Sequence, residues 1–427
     1  MNVSCFNFNT YIFRAYQSVV CYLSAVIGRV VGLLDDCLVR VSVNGFLVDV
    51  ELSRSLCSDG LLRAIKSGRE VFLKLLVGGH ATKVLEVATV GSAPLDIPVL
   101  DPSRPDLFAR YSWFWLRLPK YAKIIKFQHI LLRSLREILD SEGFVELLPP
   151  VLNLVSDPGL RGARKVAVSV YGSTYELCSS TIMYKQVAAT ALGKIYFVAR
   201  NVREEPAENV KTGRHLVEFT QLDLEWAGAS MSEVMSLGER LVYESCLEVS
   251  ERGRDVVEEF NSELKCFKPP YEKITFSDAL NMVREAGLRV SESRELPQEA
   301  EELLSVRLGR PFWLIKFPTS GRGFYYMPDE EQLDKNQDFN LIMPGGHGEL
   351  IDGGVREFRY ERIVQRLKEL GEDPDKYSWF LEAVRFGIAP TAGFGLGVER
   401  YTRYLLNLKY IWEAAPFPKP PGVVNAP

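Results

Sequence analysis

The chain has 427 residues, of which 47% are hydrophobic and 25% charged, the proportions of an ordinary globular protein with two or three domains. Its 51 lysines and arginines against 55 aspartates and glutamates give a net charge of −4. This excludes a protein that coats polyanions unspecifically but leaves a local nucleic-acid site open. The seven cysteines form no Cys-x-x-Cys pair and the histidines number four, which argues against a structural zinc site and a secreted disulfide scaffold. We therefore expect a reducing compartment, the cytoplasm.

An apolar stretch near the N-terminus, 18–28, is the one segment that resembles a membrane or targeting element. It is interrupted by Arg29 and is shorter than the roughly 20 apolar residues of a spanning helix. Only Arg14 precedes it, so the basic leader of a signal peptide is missing. We therefore expect no membrane association and interpret the stretch as a helix or strand of a small first domain.

Residues 1–100 combine short β-rich runs with turn signals such as Val43-Asn44-Gly45. Four or five short strands in this length suit a small barrel or sandwich. The predicted strands are 38–43, 46–52, 71–76 and 84–90. Prolines at 94, 98, 102 and 105 follow, and we expect a linker at 101–117 and a second domain over 118–427.

The second domain begins with an amphipathic helix that Gly143 ends. Its apolar stripe is Ile124, Phe127, Leu131, Leu135 and Ile138. A short strand is predicted at 144–148, and further helices at 231–252, at 277–302 with Ser277 as N-cap, and at 373–385. The other strands are long and widely separated, which favours an α+β fold with a mostly antiparallel sheet flanked by helices.

The strand predicted at 215–226 has an unusual polar face. Period-two geometry puts alternate side chains on one side of the strand, and on one side these are His215, Val217, Phe219, Gln221, Asp223 and Glu225. Such a face is either solvated or lines a cleft. A polar loop precedes the strand, with Arg203 and Arg214 at its two ends. Because arginine binds phosphate oxygens in a bidentate way, the cleft with a phosphate-bearing ligand is favoured.

Alternate glycines occur in Gly393-Phe394-Gly395-Leu396-Gly397, shortly before Arg400. Glycines at this spacing remove the side chains from one face of a strand, so that a flat ligand can approach the backbone. The run matches neither the GxxxxGK[ST] nor the GxGxxG phosphate loop, and no such motif occurs elsewhere in the chain.

Together these stretches resemble the three motifs of the class II aminoacyl-tRNA synthetases for aspartate, asparagine and lysine. The segment 143–150 is similar to motif 1, 203–205 with 214–219 to motif 2, and 393–400 to motif 3. The resemblance spans about 105–422 and implies a class II catalytic domain preceded by a small, degenerate OB-like β-barrel. It also implies a homodimer formed through the motif 1 region.

The resemblance implies an ATP site that works without a protein nucleophile. Arg203 would hold the α-phosphate, and Arg400 would stack on adenine opposite Phe219. These two arginines are the implied catalytic residues, and Arg203 would lie where charge develops as the amino acid carboxylate attacks. The other implied ATP contacts are Glu205 near adenine, Arg214 and His215 near the terminal phosphates, and Glu349 through magnesium.

The segment 348–356 resembles the part of the family that carries a magnesium carboxylate. Glu349 would bind Mg²⁺, which prefers oxygen ligands. Asn340 stands where most relatives have Asp, and Asp352 stands where archaeal relatives have Ser. Our hypothesis is that the second metal carboxylate has moved from 340 to 352. Strict alternation would point Glu349 and Asp352 to opposite faces, so the hypothesis requires a β-bulge, which Gly353-Gly354 could permit.

The implied amino-acid substrate is aspartate. Lys185, in Tyr184-Lys185-Gln186, matches the lysine of aspartate-activating members, and Arg356 matches the arginine that grips the substrate side chain. Two cations on one carboxylate favour aspartate over neutral asparagine, whereas the alternative for Lys185 is a solvated surface lysine. Asp223 would receive the substrate ammonium. Ser179 is also a candidate contact, although its segment lacks the Gln-Ser-Pro-Gln pattern of aspartyl-tRNA synthetases.

The acceptor of the activated aspartate is open between ammonia and tRNA. The acidic, lengthened motif 2 loop at 203–209 looks most like the archaeal asparagine synthetases related to asparaginyl-tRNA synthetase, in which ammonia attacks aspartyl-adenylate. We therefore expect an asparagine synthetase with aspartate, ATP and ammonia as partners, and tRNA is disfavoured. The alternative is an aspartate- or asparagine-tRNA ligase that uses the N-terminal domain. A non-catalytic paralogue is a third reading, because Thr391, Trp412 and Lys419 replace the His and Arg common in the family.

Overall fold

The computed structural model describes residues 25–43, 46–66, 70–78, 81–90, 101–157, 162–290, 295–424 and 426–427. The apolar stretch up to residue 24 and the prolines at 94 and 98 lie outside them. The chain forms two compact units, one within Met1–Val99 and Arg117–Pro119, the other within Leu100–Leu116 and Lys120–Pro427. Among the described residues no helix has the length and apolar character needed to cross a membrane.

The first unit is an antiparallel five-stranded sheet in the order β3-β2-β1-β4-β5, with helix α1 between β3 and β4. Its elements are β1 (Ala25–Asp35), β2 (Leu38–Val43), β3 (Phe46–Glu51), α1 (Asp59–Lys66), β4 (Glu70–Gly78) and β5 (Ala81–Val90). A side chain on Gly28 of β1 would collide with Val41, 2.3 Å away, so the glycine lets the strands close over the core. The predicted OB-like β domain is confirmed, and β1 overlaps the end of the stretch 18–28, which we interpreted as a helix or strand of this domain.

The second unit is built on an eight-stranded sheet in the order β12-β13-β14-β15-β16-β11-β10-β6. Its six central strands pair antiparallel, and the two edge pairs, β12–β13 and β10–β6, are parallel. The predicted α+β fold with a mostly antiparallel sheet is confirmed. The strands are β6 (Val145–Leu147), β10 (Lys194–Val202), β11 (Glu218–Ala227), β12 (Glu272–Thr275), β13 (Phe312–Ile315), β14 (Asp338–Met343), β15 (Gly348–Val355) and β16 (Thr391–Gly397). A separate small sheet contains β7 (Leu152–Asn153), β8 (Ala167–Val170) and β9 (Ser173–Leu177).

Helices flank this sheet. They are α2 (Pro105–Arg110), α3 (Ser112–Trp115), α4 (Pro119–Ser141), α5 (Ile182–Leu192), α6 (Met231–Arg252), α7 (Arg254–Phe260), α8 (Phe276–Glu285), α9 (Gln298–Leu308), α10 (Tyr360–Glu369), α11 (Ser378–Phe386) and α12 (Val398–Leu405). All five residues of the stripe predicted for α4 are buried. Helix α8 is capped by Thr275, whose hydroxyl accepts from the Asp278 amide, rather than by Ser277.

The segment 101–117, predicted as a linker, is largely helical in α2 and α3. Pro105 starts α2, since a missing N–H is harmless in the first turn. Phe108 and Trp115 are buried and pack edge-to-face with Tyr121 of α4. The aromatic side chains therefore make this segment part of the second unit, and the proline count alone was a poor guide to it.

Four cysteines are paired, which differs from the expectation drawn from cysteine spacing. Cys37 is bonded to Cys57 in the first unit and Cys246 to Cys266 in the second. Both partners of each pair lie 20 residues apart, a separation that no short motif reveals. Cys178 is the one free cysteine among the described residues, and it is buried.

Candidate active site

A cleft opens over strands β11, β15 and β16 and contains about 1180 Å³ of space, including the part open to solvent. Eleven of the twelve site residues named from the sequence line it. These are Lys185, Arg203, Glu205, Arg214, His215, Phe219, Asp223, Glu349, Asp352, Arg356 and Arg400. The exception is Ser179, which is fully buried and hydrogen-bonded to Ser156 through their hydroxyls. Motifs far apart in the chain are thus brought to one place.

The polar face of β11 is the floor of the cleft. Phe219, Gln221 and Asp223 of β11 line the cavity, as does His215, which lies before the observed start of the strand, so the predicted cleft-lining face is confirmed over the solvated one. Glu225 continues the same face but is fully buried. The leucines of the opposite face, such as Leu222 and Leu224, are fully buried in the core, which fixes the direction of the polar face.

The glycines of β16 make room for side chains of β11, with which β16 pairs. A Cβ on Gly395 would lie 2.6 Å from the Asp223 Oδ1, and a Cβ on Gly393 would lie 2.3 Å from the Glu225 Oε2. Gly395 and Gly397 also border the cavity. The glycines were expected to admit a flat ligand; in this structure their first effect is to admit two carboxylates.

Two cations and two carboxylates meet at one end of the cleft. The Lys185 Nζ lies 3.6 Å from both the Asp223 Oδ1 and the Glu225 Oε2. The Arg356 Nε donates to the Glu225 Oε1 at 3.0 Å, and the Thr391 hydroxyl donates to the same oxygen at 2.7 Å. Lys185 is 2% exposed, which rules out a solvated surface lysine.

The Arg356 Nη1 is buried and has no hydrogen-bond partner among the residues that the structure describes. Burial alone would lower the pKa of this guanidinium, but Glu225 more than compensates and keeps the pKa above its ordinary value. A buried donor without a partner is costly, so this nitrogen is suited to an acceptor oxygen supplied by a ligand.

The other end of the cleft carries arginines that are already held in place. The Arg203 Nε donates to the Ser179 carbonyl at 3.0 Å, and its guanidinium lies 5.1 Å from the centre of the Phe219 ring. The Arg400 Nη1 lies 2.9 Å from the Glu349 Oε1. Phe219 therefore has Arg203 as its cationic neighbour in this structure, whereas the resemblance assigned Arg400 to the opposite face of the bound adenine.

The structure contains the β-bulge that the metal hypothesis required, but at a different residue. On β14 and β15, Leu341 pairs with Ile351 and Ile342 pairs with Glu349, so Leu350 is the extra residue. The bulge brings Glu349 and Asp352 into the same cleft. Gly353 and Gly354 are not the site of the bulge but allow close packing, since a Cβ on Gly353 would lie 2.4 Å from Phe394.

Glu349 and Asp352 are both already paired in this structure. The Glu349 Oε2 accepts from the Asn340 Nδ2 at 2.6 Å, and its other oxygen faces Arg400. Asp352 accepts from the Tyr326 hydroxyl at 2.8 Å and lies 3.5 Å from Arg322. Mg²⁺ is usually held by one or two carboxylates together with substrate phosphates, so either carboxylate would exchange an arginine contact for the ion.

Arg322 lies behind the cleft lining and was not singled out by the sequence patterns. The patterns also missed three residues that do line the cavity, Asp157, Tyr325 and Tyr326. The Arg322 side chain is 2% exposed and binds Asp338 through Nε at 2.7 Å and Asn340 through Nη2 at 2.7 Å. Among the described residues no group of three or more His, Cys, Asp or Glu side chains is arranged to hold a metal ion. The Arg322 guanidinium supplies positive charge beside Asn340, and the Asn340 side chain in turn donates to Glu349 at the cleft.

His215 is neutral at physiological pH. Burial lowers its pKa to about 3, and Arg400 and Arg214 add to the effect. Its Nδ1 is 2.8 Å from the Thr212 hydroxyl. Because the neighbouring arginines already carry the charge, the imidazole contributes a hydrogen bond rather than a cation to this end of the cleft.

This shift predicts a pH-dependent stability. The unfolded chain takes up a proton near the ordinary histidine pKa of about 6.5, whereas folded His215 resists it, so stability falls as the pH drops below that value. At pH 5 this proton uptake by the unfolded chain lowers the free energy of unfolding by up to about 2 kcal/mol. Urea unfolding at pH 7, 6 and 5 should show a smaller pH slope for His215→Gln than for the wild type. Exposed His129 is the control: His129→Gln should keep the wild-type slope, and equal slopes in all three would contradict the assignment.

Comparison with known proteins identifies the family of the chain. The family model described as tRNA synthetases class II (D, K and N) matches residues 104–421. The chain is 30% identical over 347 residues to an asparagine–tRNA ligase of Pyrococcus abyssi, which covers 80% of this chain and 78% of that protein. It is also 30% identical over 338 residues to an aspartate–tRNA(Asp/Asn) ligase of Methanocaldococcus jannaschii, which covers 78% of this chain and 76% of that protein.

Solved structures show the same relationship over nearly the whole chain. The asparaginyl-tRNA synthetase of Pyrococcus horikoshii complexed with asparaginyl-adenylate has a TM-score of 0.80 and 26% identity, covering 94% of this chain and 96% of that one. The Entamoeba histolytica asparaginyl-tRNA synthetase with asparaginyl-adenylate shares the fold, with a TM-score of 0.77 and 21% identity over 94% of this chain and 96% of that one. The chain therefore belongs to the class II tRNA synthetases for aspartate, lysine and asparagine, and its enzyme class is that of the ligases.

Proposed function

We propose that this protein uses ATP to activate aspartate as aspartyl-adenylate and then transfers the aspartyl group to tRNA. The observation that carries the proposal is the buried pair Lys185 and Arg356, held against two carboxylates of β11. Relatives of both the aspartate and the asparagine type are about equally similar, so overall identity does not choose the amino acid. We base the choice of aspartate on the charges in the cleft.

The charge count at the substrate end favours an anionic side chain. Asp223 would pair with the substrate ammonium, which leaves Lys185, Arg356 and Glu225 with a net charge of +1. A β-carboxylate neutralises this charge, with one oxygen taking the open Arg356 Nη1. The neutral amide of asparagine would leave a cation uncompensated in a buried site, which is costly. Aspartate is therefore the better match.

The phosphate end supports adenylate formation by positioning and charge. Arg203 would approach the α-phosphate, where negative charge develops as the substrate carboxylate attacks. Arg400 and Phe219 would hold adenine, with Glu205 at its edge. When bound, Mg²⁺ would neutralise phosphate charge, and Glu349 is the residue we propose to hold it. Asp352 as a second ligand stays a prediction; like Glu349, it is already paired with an arginine in this structure.

The comparisons favour tRNA over ammonia as the acceptor. The curated relatives described above are tRNA ligases, which supports the alternative formulated from the sequence over the asparagine synthetase that was our main expectation. The ammonia-dependent synthetase remains the second candidate because of the motif 2 loop, where 207–212 fold into a 3₁₀ helix and Asn209 binds Glu205 at 2.9 Å. A non-catalytic paralogue is disfavoured by the cleft that gathers the predicted ATP and substrate residues.

We also propose that the protein forms a homodimer through the motif 1 region. We propose the cytoplasm as the compartment in which it encounters tRNA. Exposed apolar side chains cluster on and after β6, where Leu148 is 93% exposed. The others are Val145, Val151, Leu152 and Leu154. Exposed apolar groups of this density are typical of a surface that a partner covers.

The acceptor is tested by incubating the purified protein with radiolabelled aspartate, ATP and Mg²⁺, with either total tRNA or ammonium. We expect acid-precipitable aspartyl-tRNA and no free asparagine. Free asparagine and AMP formed with ammonium and without tRNA would replace the tRNA ligase with the synthetase. If neither product forms and aspartate does not promote exchange of pyrophosphate into ATP, the proposed function is wrong.

Gly395→Ala tests whether the glycine run serves the substrate end. Its Cβ would lie 2.6 Å from Asp223 Oδ1, so the carboxylate that would receive the ammonium has to move. We expect the KM for aspartate to rise at least about tenfold, the loss of one charged hydrogen bond, with a smaller change in the KM for ATP. Gly60→Ala is the control, because the nearest atom outside its immediate chain neighbours is 3.9 Å away. An unchanged KM for aspartate would contradict this role.

A further inference from the structure

The resemblance to the class II synthetases implies that Arg214 lies near the terminal phosphates of ATP, and a carboxylate that does not line the cleft holds it. We propose that Glu301 of α9 is a positioning residue that directs Arg214 toward the β- and γ-phosphates. This inference rests on the proposed function, because it requires ATP in the cleft. It gives a role in nucleotide binding to α9, a helix that lies outside the three motifs.

The contact joins a cleft residue to a residue behind it. The Arg214 Nη2 lies 2.9 Å from the Glu301 Oε2, and the two side chains are 7% and 14% exposed. Arg214 lines the cleft and Glu301 does not. Glu301 therefore holds the guanidinium without itself bordering the cleft.

The guanidinium is also confined by the backbone of Gly348. A Cβ at Gly348 would lie 2.0 Å from the Arg214 Nη2, and its φ of +71° is a conformation that favours glycine. The Arg214 Nε is buried without a hydrogen-bond partner among the described residues. The Arg214 Nη2 is therefore anchored by Glu301, whereas the Nε has no acceptor among the described residues. This is expected of a guanidinium prepared for an anionic ligand.

Helix α9 is a firm support for this carboxylate. Ser305 is fully buried, and its hydroxyl accepts from the Gly346 amide at 2.7 Å, which ties α9 to the turn between β14 and β15. Ala300 and Leu304 are buried in a core cluster that also contains Ile342 of β14. The position of Glu301 is thus set by the same strands that carry Glu349.

The local charges explain why an anchor is needed. Arg214 lies among cations: burial, then Arg214 and Arg400, lower the pKa of Arg403 to about 10. Like charges in a partly buried site repel each other, so Arg214 is repelled by its cationic neighbours. Glu301 offsets this repulsion from outside the cleft, and the cleft itself keeps its attraction for phosphate.

Titration calorimetry of the full chain with Mg²⁺ and a non-hydrolysable ATP analogue, and separately with AMP, tests the inference. Glu301→Gln should weaken binding of the analogue about tenfold, the effect of one charge-assisted contact, and leave AMP binding unchanged, because AMP lacks the phosphates that Arg214 would reach. Exposed Glu299 lies on the same helix, and Glu299→Gln should bind both ligands like the wild type.

The outcomes separate the two proposals. Equally weaker binding of the analogue and of AMP to Glu301→Gln would show a general structural defect. Unchanged or tighter binding of the analogue would show that Glu301 is neutral or competes with phosphate. Each of these results overturns the role of Glu301 but leaves the proposed function standing. Failure of the wild type to bind the analogue would overturn the proposed function together with it. AMP binding by Glu301→Gln also serves as the check that the variant is folded.

Discussion

The substrate end of the cleft depends on four buried charges: Lys185 and Arg356 against Asp223 and Glu225. Burying any one of them alone would be unfavourable, since an unpaired ion in the interior costs several kcal/mol, about 3–5 when one partner of a pair is removed. The arrangement therefore requires all four side chains, and it requires the glycines of β16, where a methyl group would collide with either carboxylate. Electrostatic contacts thus link strand β11, helix α5 and the segment around Arg356 as much as apolar packing does.

The same principle extends along the cleft. Arg356 has Glu225, Arg400 has Glu349 and Arg214 has Glu301. Each guanidinium is oriented by a carboxylate of its own, so the cations are placed before a ligand arrives. Preorganised charges of this kind reduce the reorganisation that binding and reaction require. A single magnesium at Glu349 would complete this set, with Arg322 supplying positive charge beside Asn340.

Local patterns in the sequence predicted much of this, because strand and helix periodicity are local properties. The alternation over 215–226 identified the cleft floor, and the stripe of α4 identified its buried face. Features that depend on contacts distant in the chain were missed: Arg322 and Glu301 carry no periodic signal, and their partners are Asp338 and Arg214. The need for a bulge followed from alternation, but its position at Leu350 depends on register with β14. The two disulfides and the helical 105–115 were likewise decided by tertiary contacts.

In our proposal, this charge arrangement selects aspartate. The most direct test is exchange of pyrophosphate into ATP, measured with aspartate and with asparagine for the wild type, Lys185→Met and the control Lys126→Met, whose lysine is exposed. We predict exchange with aspartate but little with asparagine. Lys185→Met should lower kcat/KM for aspartate about 100-fold, the loss of a buried charged contact, with the KM for ATP nearly unchanged. Faster exchange with asparagine, or an equal loss for aspartate and ATP in Lys185→Met, would contradict the account.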